Sequence, residues 1–194
     1  MSQEYPQVIR RLASDCLSSG LVEEAAILAS KLIENLERIG GDNNPDYAFA
    51  ITVLAYVYQK RGQLADAESL YVKSLRLRAW HFGKRHRHFA WGLFNLAVIY
   101  MTQRRMLPAR RSLERVLRTH ERGRCADELL HARTLRELAV FSEASGDINH
   151  AREFAAKALG LFARLRGADH PDTRRVRDQH NRLEERHDPT AAIE

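Results

Sequence analysis

The sequence predicts an all-α protein, a right-handed superhelical solenoid of four helix–turn–helix repeats followed by a capping helix. Three observations predict this fold. One pattern returns every 42 residues, each helix-length stretch carries apolar residues at helical spacing, and glycine separates the two stretches of most repeats. A helix pair of this kind cannot bury its apolar face alone, so it stacks on its neighbours. Four copies exceed the roughly three that a stable stack needs.

A leucine–alanine pair marks the predicted first helix of each repeat. A further alanine follows 13 residues after the leucine in every copy. These small side chains let two helix axes approach closely, where larger ones would hold them apart. Glycine occupies the turn in three repeats, and Arg104 stands there in the third. The pairs begin at Leu12, Leu54, Leu96 and Leu138, and the turn glycines are Gly20, Gly62 and Gly146.

The second repeat shows the helical pattern most clearly. Ile51, Leu54 and Tyr58 follow one another at intervals of 3 and 4 residues, which makes one face of a helix apolar. Gly62 ends this helix, because glycine accepts the left-handed conformation that follows a helix C-terminus. A second apolar stripe runs over residues 64–75. The repeat is therefore expected to fold as helix, turn and helix.

The later elements follow the same logic. Pro108 is expected in the first turn of a helix, where its missing N–H costs little. The last predicted helix has an apolar seam of only Val176 and Leu183, which is typical of an end cap with one packed face. We predict a single domain over residues 1–194. Its repeats cover approximately 5–41, 45–83, 87–124 and 129–167, its capping helix covers 170–187, and its frayed tail covers 188–194.

The repeated residues resemble the tetratricopeptide repeat, through Leu54-Ala55-x-x-Tyr58 and Ala67-x-x-x-Tyr71. The period of 42 residues resembles the kinesin light chain subtype in particular, whose helices and linkers are longer than those of the 34-residue form. Its linker signature is well kept in "RGADHPDT" (166–173), partly kept in "GDNNPDYA" (41–48) and weakly kept in "GKRHRHFA" (83–90). The resemblance covers about residues 5–175.

The resemblance implies that the first helices line a concave inner surface that binds a segment of a partner protein. Several aromatic and apolar side chains at the implied positions lie off the packing stripe, and contiguous apolar surface usually marks a partner site. The alternative is that these side chains pack against neighbouring helices and meet no ligand. The predicted groove residues are Phe49, Thr52, Tyr56, Gln59, Lys60, Trp91, Phe94, Asn95, Val98, Met101, Arg133 and Arg136.

Two polar features of this set have specific implied roles. Asn95 matches an asparagine that kinesin-light-chain-type repeats use to hold a peptide backbone, whereas Arg11, Val53 and Glu137 replace it in the other copies. Arg133 and Arg136 lie one turn apart and are candidates to bind a carboxylate of a peptide. Lys60 is expected to assist them in orienting acidic groups. Solvated surface arginine is the alternative for the pair.

Positive charge is concentrated in the middle of the chain. The net charge is +6, but residues 72–124 carry 14 Lys and Arg against 2 Asp and Glu, a net +12. A solvated outer face is the favoured interpretation. An acidic partner or a nucleic acid bound through this segment is the alternative. Nucleic acid is the less favoured of the two, because no recognised motif accompanies the charge and the nearby aromatic residues are expected at packing positions.

The sequence argues against catalytic and metal chemistry. It has no Gly-rich phosphate loop, nucleophile elbow or HExxH motif, so we expect no enzyme, no catalytic residues and no cofactor. His81, His86 and His88 are close in sequence, but no cysteine or carboxylate pair joins them as a zinc site requires. We therefore expect no metal. Cys16 and Cys125 lack CxxC spacing, as is typical of thiols in a reducing compartment.

The predicted function is a protein–protein interaction scaffold that binds a peptide in its groove, with apolar anchoring by Phe49, Tyr56, Trp91 and Phe94. No apolar window approaches the ~18 residues of a membrane span, and no secretory signal stands at the N-terminus. We therefore expect a cytoplasmic protein with a protein or peptide partner and no membrane. A sensor part of a larger regulator is a further alternative, and the oligomeric state is left open.

Overall fold

The described part of the chain is entirely helical. In a computed structural model, residues 4–39, 41, 44–121 and 127–187 are described, and they form nine α-helices and no strand. The predicted all-α repeat fold is confirmed. The predicted frayed tail 188–194 and Cys125 lie outside the described residues. The helices are α1 (Glu4–Ser18), α2 (Val22–Arg38), α3 (Pro45–Lys60), α4 (Leu64–Phe82), α5 (Arg87–Thr102), α6 (Met106–Glu121), α7 (Glu128–Ala144), α8 (Ile148–Arg166) and α9 (Pro171–His187).

The helices divide between two compact units. Unit 1 spans Met1–Arg105 and contains α1 to α5, and unit 2 spans Met106–Glu194 and contains α6 to α9. The predicted single domain with its repeat boundaries stays a prediction. None of the helices in the described ranges is long and apolar enough to cross a membrane.

In unit 1, each helix from α1 to α5 packs against the next helix along the chain. Asn44 caps α3 by accepting a hydrogen bond from the backbone N–H of Asp46 at 2.8 Å, and Pro45 occupies the first turn, where no N–H is needed. Gly62 follows α3 with φ +78°, as predicted from its turn position. Ala55 and Ala67 are fully buried between α3 and α4, so these alanines do allow the close approach of the two helices.

The turn after α5 shows what replaces the missing glycine. Arg104 takes φ +61°, a left-handed conformation that residues other than glycine rarely adopt. Its N–H bonds to Met101 O at 3.0 Å, and the N–H of Arg105 bonds to Tyr100 O at 2.8 Å. The same bond pattern closes the turn at Gly62. These hydrogen bonds at the helix end therefore hold Arg104 in the left-handed conformation, which itself costs about 1–2 kcal/mol.

In unit 2, α7 and α8 form a pair that α9 covers. Pro108 lies in the first turn of α6, as predicted. Phe162 of α8 is fully buried and packs with Val176 of α9, while Leu183 of α9 packs with Ala151 and its neighbours on α8. Val176 and Leu183 are both fully buried, so the thin apolar seam that the sequence shows is the packed face of α9.

Candidate functional site

One arginine of α4 ties the first helices α3 and α5 together in unit 1. The guanidinium of Arg78 donates one hydrogen bond to Thr52 Oγ1 of α3 at 2.9 Å and another to the backbone oxygen of His88 in α5 at 3.0 Å. Both helices carry predicted groove residues. The two hydrogen bonds therefore fix the relative position of the two walls of the candidate groove.

Arg78 is a buried cation, which sequence analysis missed. Its side chain is 8% exposed, and no carboxylate in the described ranges forms an ion pair with it. Burial is the main reason why the pKa of Arg78 falls to about 10. A signal was available in the 42-residue register: the same position holds Leu36 and Phe162 in other repeats, and both are fully buried.

The hydroxyl of Thr52 forms its hydrogen bonds within the fold, where α3 meets α4. Its Oγ1 lies 2.8 Å from the backbone oxygen of Ala48 and 2.7 Å from Ser74 Oγ, and it accepts the bond from Arg78. Ser74 is itself buried on α4. The hydroxyl of Thr52 therefore holds helices together, and a partner would meet other residues of α3.

Aromatic side chains of the predicted groove set lie on both α3 and α5. Trp91 of α5 is partly exposed, and its ring stands edge-on to Phe94, with centroids 5.9 Å apart and an interplanar angle of 80°. Phe94 is only 6% exposed, so it supports Trp91 from the core side. Phe49 of α3 is partly exposed, and the Arg10 guanidinium lies 5.6 Å from its ring centroid. Phe49 also borders a cleft of about 450 Å³ between α1 and α3.

The C-terminal half of α3 supplies polar groups. Lys60 is exposed, and its ammonium lies 5.2 Å from the centroid of the Tyr56 ring, a cation–π distance. Gln59 Oε1 accepts a hydrogen bond from the hydroxyl of Tyr71 at 3.1 Å. Burial raises the pKa of Tyr71 well above its usual value, so this phenol stays a neutral donor. Gln59 is thus engaged within the fold, whereas Tyr56 and Lys60 present side-chain surface.

The remaining predicted residues divide between the two units. Asn95, Val98 and Met101 of α5 are partly exposed in unit 1. Arg133 and Arg136 lie on α7 in unit 2.

Arg136 is already paired with carboxylates. It donates to Glu137 Oε1 at 2.6 Å and lies 3.6 Å from Asp172 Oδ1 of α9. Arg136 is therefore not an open receptor for a peptide carboxylate. For the other arginine of the predicted pair, Arg133, burial lowers the pKa, and the neighbouring Arg166 lowers it further.

The N-terminal turn of α5 lies in a positive field. Burial lowers the pKa of His88 to about 4, and the charges of Arg78, His86, Arg87 and Arg10 all act in the same direction. His88 is therefore neutral at pH 7, and the groups around it repel further positive charge. Phe82 stacks on His86 with centroids 4.8 Å apart. Within the described ranges, no three His, Cys, Asp or Glu side chains gather as metal ligands.

Helix pairs at a period of 42 residues, with buried alanines at their crossings, define a helical repeat protein. Two family models described as tetratricopeptide repeat match the chain, one over residues 5–79 and the other over residues 131–172. Together the two matches cover more than half of the 194 residues. The chain belongs to the tetratricopeptide repeat family, as its motifs predicted. Tetratricopeptide repeats serve in general as protein-interaction scaffolds.

Solved structures share the fold. The nearly identical TPR-like repeats of a predicted kinesin light chain from Podosopora anserina match with a TM-score of 0.68 and 20% identity, over 92% of this chain and 85% of that chain. BtubC (BKLC) from P. vanneervenii gives a TM-score of 0.72 at 19% identity, over 91% of this chain and 70% of that one. PilF from Pseudomonas aeruginosa gives 0.59 at 20% identity, over 93% and 77%. No curated protein sequence matches significantly.

Proposed function

We propose that the protein is a scaffold that holds an extended peptide segment of a partner between α3 and α5 of unit 1. The observation that carries the proposal is the set of partly exposed rings on these two helices, Phe49, Tyr56 and Trp91. Arg78 fixes the helices beside each other, so the rings belong to one preformed surface. Preformed pockets that desolvate aromatic anchors provide most of the binding energy in protein interfaces.

Each groove residue has a distinct role in this proposal. Trp91 is the main anchor, because Phe94 holds its ring edge-on from the buried side. Tyr56 and Lys60 form a second contact, at which the ammonium binds an acidic side chain. The amide of Asn95 bonds to the peptide backbone, as the resemblance to kinesin light chain repeats implies.

The electrostatics of the groove favour an acidic peptide. The buried Arg78 has no carboxylate partner among the residues that the structure describes. Burial lowers the pKa of His88, and the surrounding cations lower it further. The predicted orienting role of Arg136 is not retained, because Glu137 and Asp172 already neutralise it.

A peptide selection tests this function. Peptides selected from a random display library on the wild-type protein are measured against Trp91→Ala by calorimetric titration. We expect a loss of affinity of about 30-fold, the effect of removing an interface hot spot. Leu107→Ala is the matched control, since Leu107 is 69% exposed on α6 and outside the groove. If the selected peptides bind Trp91→Ala and Tyr56→Ala as tightly as wild type, the groove is assigned to the wrong residues.

A further inference from the structure

Trp80 is an exposed tryptophan that the fold does not use. It lies in the last turn of α4 and is 80% exposed. The 42-residue register places Arg38 and Arg164 at the same position of other repeats, and both are exposed. Packing therefore does not require an indole here. The expectation that aromatic residues near the basic segment occupy packing positions holds for Phe89, which is buried, and is wrong for Trp80.

Several exposed cations lie close to Trp80 in the sequence. The sequence has no acidic residue between Glu68 and Glu114, so no carboxylate from this stretch neutralises the local charge. Neighbouring cations are exposed and make no ion pair with any part of the chain that the structure describes. Elsewhere in unit 1, exposed arginines such as Arg61 and Arg105 do pair with glutamates. The unpaired cations are Arg76, Lys84, Arg85 and Arg87, and with Trp80 they are called the Trp80 patch.

The local backbone places three of these cations within one turn or one loop of Trp80 along the chain. Arg76 precedes Trp80 by one helical turn and shares its face. Gly83 ends α4 with φ +78°, and its N–H bonds to Ala79 O at 3.0 Å. The helix therefore stops here, and the next two cations, Lys84 and Arg85, lie in the turn that directly follows it.

The turn that carries the patch is packed. Phe82 stacks on His86 and contacts the ring of His88, each with centroids 4.8 Å apart, and Arg78 bonds to the backbone of His88. The cations of the turn are therefore presented on a formed surface.

We propose that the Trp80 patch binds single-stranded nucleic acid, with a base stacked on the indole of Trp80 and neighbouring phosphates on the four cations. Every base offers a π-face, so one exposed ring suffices for stacking, and a positively charged groove follows the backbone of the strand. Three of the four cations are arginines, whose planar fork matches the geometry of phosphate oxygens. The patch lies on the C-terminal part of α4, the following turn and the first residue of α5, and it shares no residue with the proposed peptide groove.

The exposed surface favours nucleic acid over a membrane. Insertion into a lipid interface requires an apolar face of several side chains. Within the described residues 44–105, Trp80 is the one exposed large apolar side chain. A surface with one ring and several cations suits a stacked base between phosphates.

Fluorescence anisotropy with a labelled oligouridylate of about 12 nucleotides tests the proposal. We expect binding at low salt, with a slope of log K against log salt of about −3 for four phosphate contacts. Trp80→Ala is expected to weaken binding by about 5- to 150-fold, whereas Trp80→Phe is expected to retain most of the affinity. Arg85→Ala is expected to reduce the slope by about 0.7. The control Leu107→Ala removes another exposed apolar side chain and leaves binding unchanged.

A second readout separates stacking from charge alone. The chain has two tryptophans, so in a Trp91→Phe variant the emission comes from Trp80, and saturation with oligouridylate is expected to quench it. Absence of binding at low salt overturns the proposal, as does equal affinity of wild type and Trp80→Ala. An affinity for polyglutamate of equal charge that matches the affinity for the oligonucleotide overturns it too, because that polymer cannot stack. Binding to phosphatidylserine vesicles without binding to the oligonucleotide would assign the patch to membranes instead.

Discussion

Replacing Phe162 with alanine is expected to lower the free energy of unfolding of unit 2 by about 3–5 kcal/mol. Phe162 is fully buried, and its ring packs with Ala132 and Leu135 of α7 and with Val176 of α9. It therefore joins three helices. The surrounding alanines are too small to fill the space that the ring would leave, so most of the cavity would persist.

Urea denaturation followed by circular dichroism measures this effect. The matched control is Leu165→Ala on the same helix, where the side chain is 38% exposed, and a loss of about 1 kcal/mol or less is expected. Where Phe162→Ala fails to fold, Phe162→Leu provides a smaller cavity and a measurable loss. A loss below about 1 kcal/mol for Phe162→Ala would show that α9 does not depend on this contact for packing.

Replacing Arg78 with leucine is expected to raise the free energy of unfolding of unit 1 by about 1–3 kcal/mol. The lowered pKa of Arg78 means that the unfolded chain holds the proton more tightly than the folded chain. The charged side chain therefore costs stability at neutral pH. The two hydrogen bonds of Arg78 go to neutral acceptors, which do not offset the loss of hydration of the charge.

The neighbours of Arg78 tolerate its removal. Thr52 keeps its contact with Ser74, and the backbone oxygen of His88 keeps the bond that a helix provides from four residues later. The same register position already holds leucine at Leu36. Arg76→Leu, on the exposed face of the same helix, is the control and is expected to change stability by no more than about 0.5 kcal/mol. A destabilised Arg78→Leu would mean that the bonds between α3 and α5 outweigh the burial of the charge.

The repeated fold was predictable because its determinants are local and periodic. The leucine–alanine pairs and the turn at Gly62 each act within one helix pair, and repetition multiplies a weak signal. Arg104 shows that the register outweighs a single unfavourable residue, since the hydrogen bonds of the turn persist without glycine. The fully buried Val176 and Leu183 likewise follow from their spacing alone.

The candidate site was less predictable, because it depends on partners from other helices. The spacing of the sequence places Thr52 and Trp91 on the same predicted face of their helices. The structure shows that the hydroxyl of Thr52 is bonded to Ser74 and Arg78 of α4, which the spacing does not indicate. The ion pair of Arg136 with Asp172 arises from α9, which is 36 residues away in sequence. Composition also treats all arginines alike, so the difference between a buried cation and an exposed one appears only with the fold.

The central claim, that α3 and α5 form a peptide groove anchored by Trp91, is tested most directly by the indole N–H signals in a nitrogen–proton NMR spectrum. The chain has two such signals, from Trp80 and Trp91, and Trp80→Phe assigns them. On titration with a peptide selected on the wild-type protein, the signal of Trp91 is expected to shift while that of Trp80 stays in place. A shift of Trp80 alone, or of neither indole at saturation, would contradict the claim.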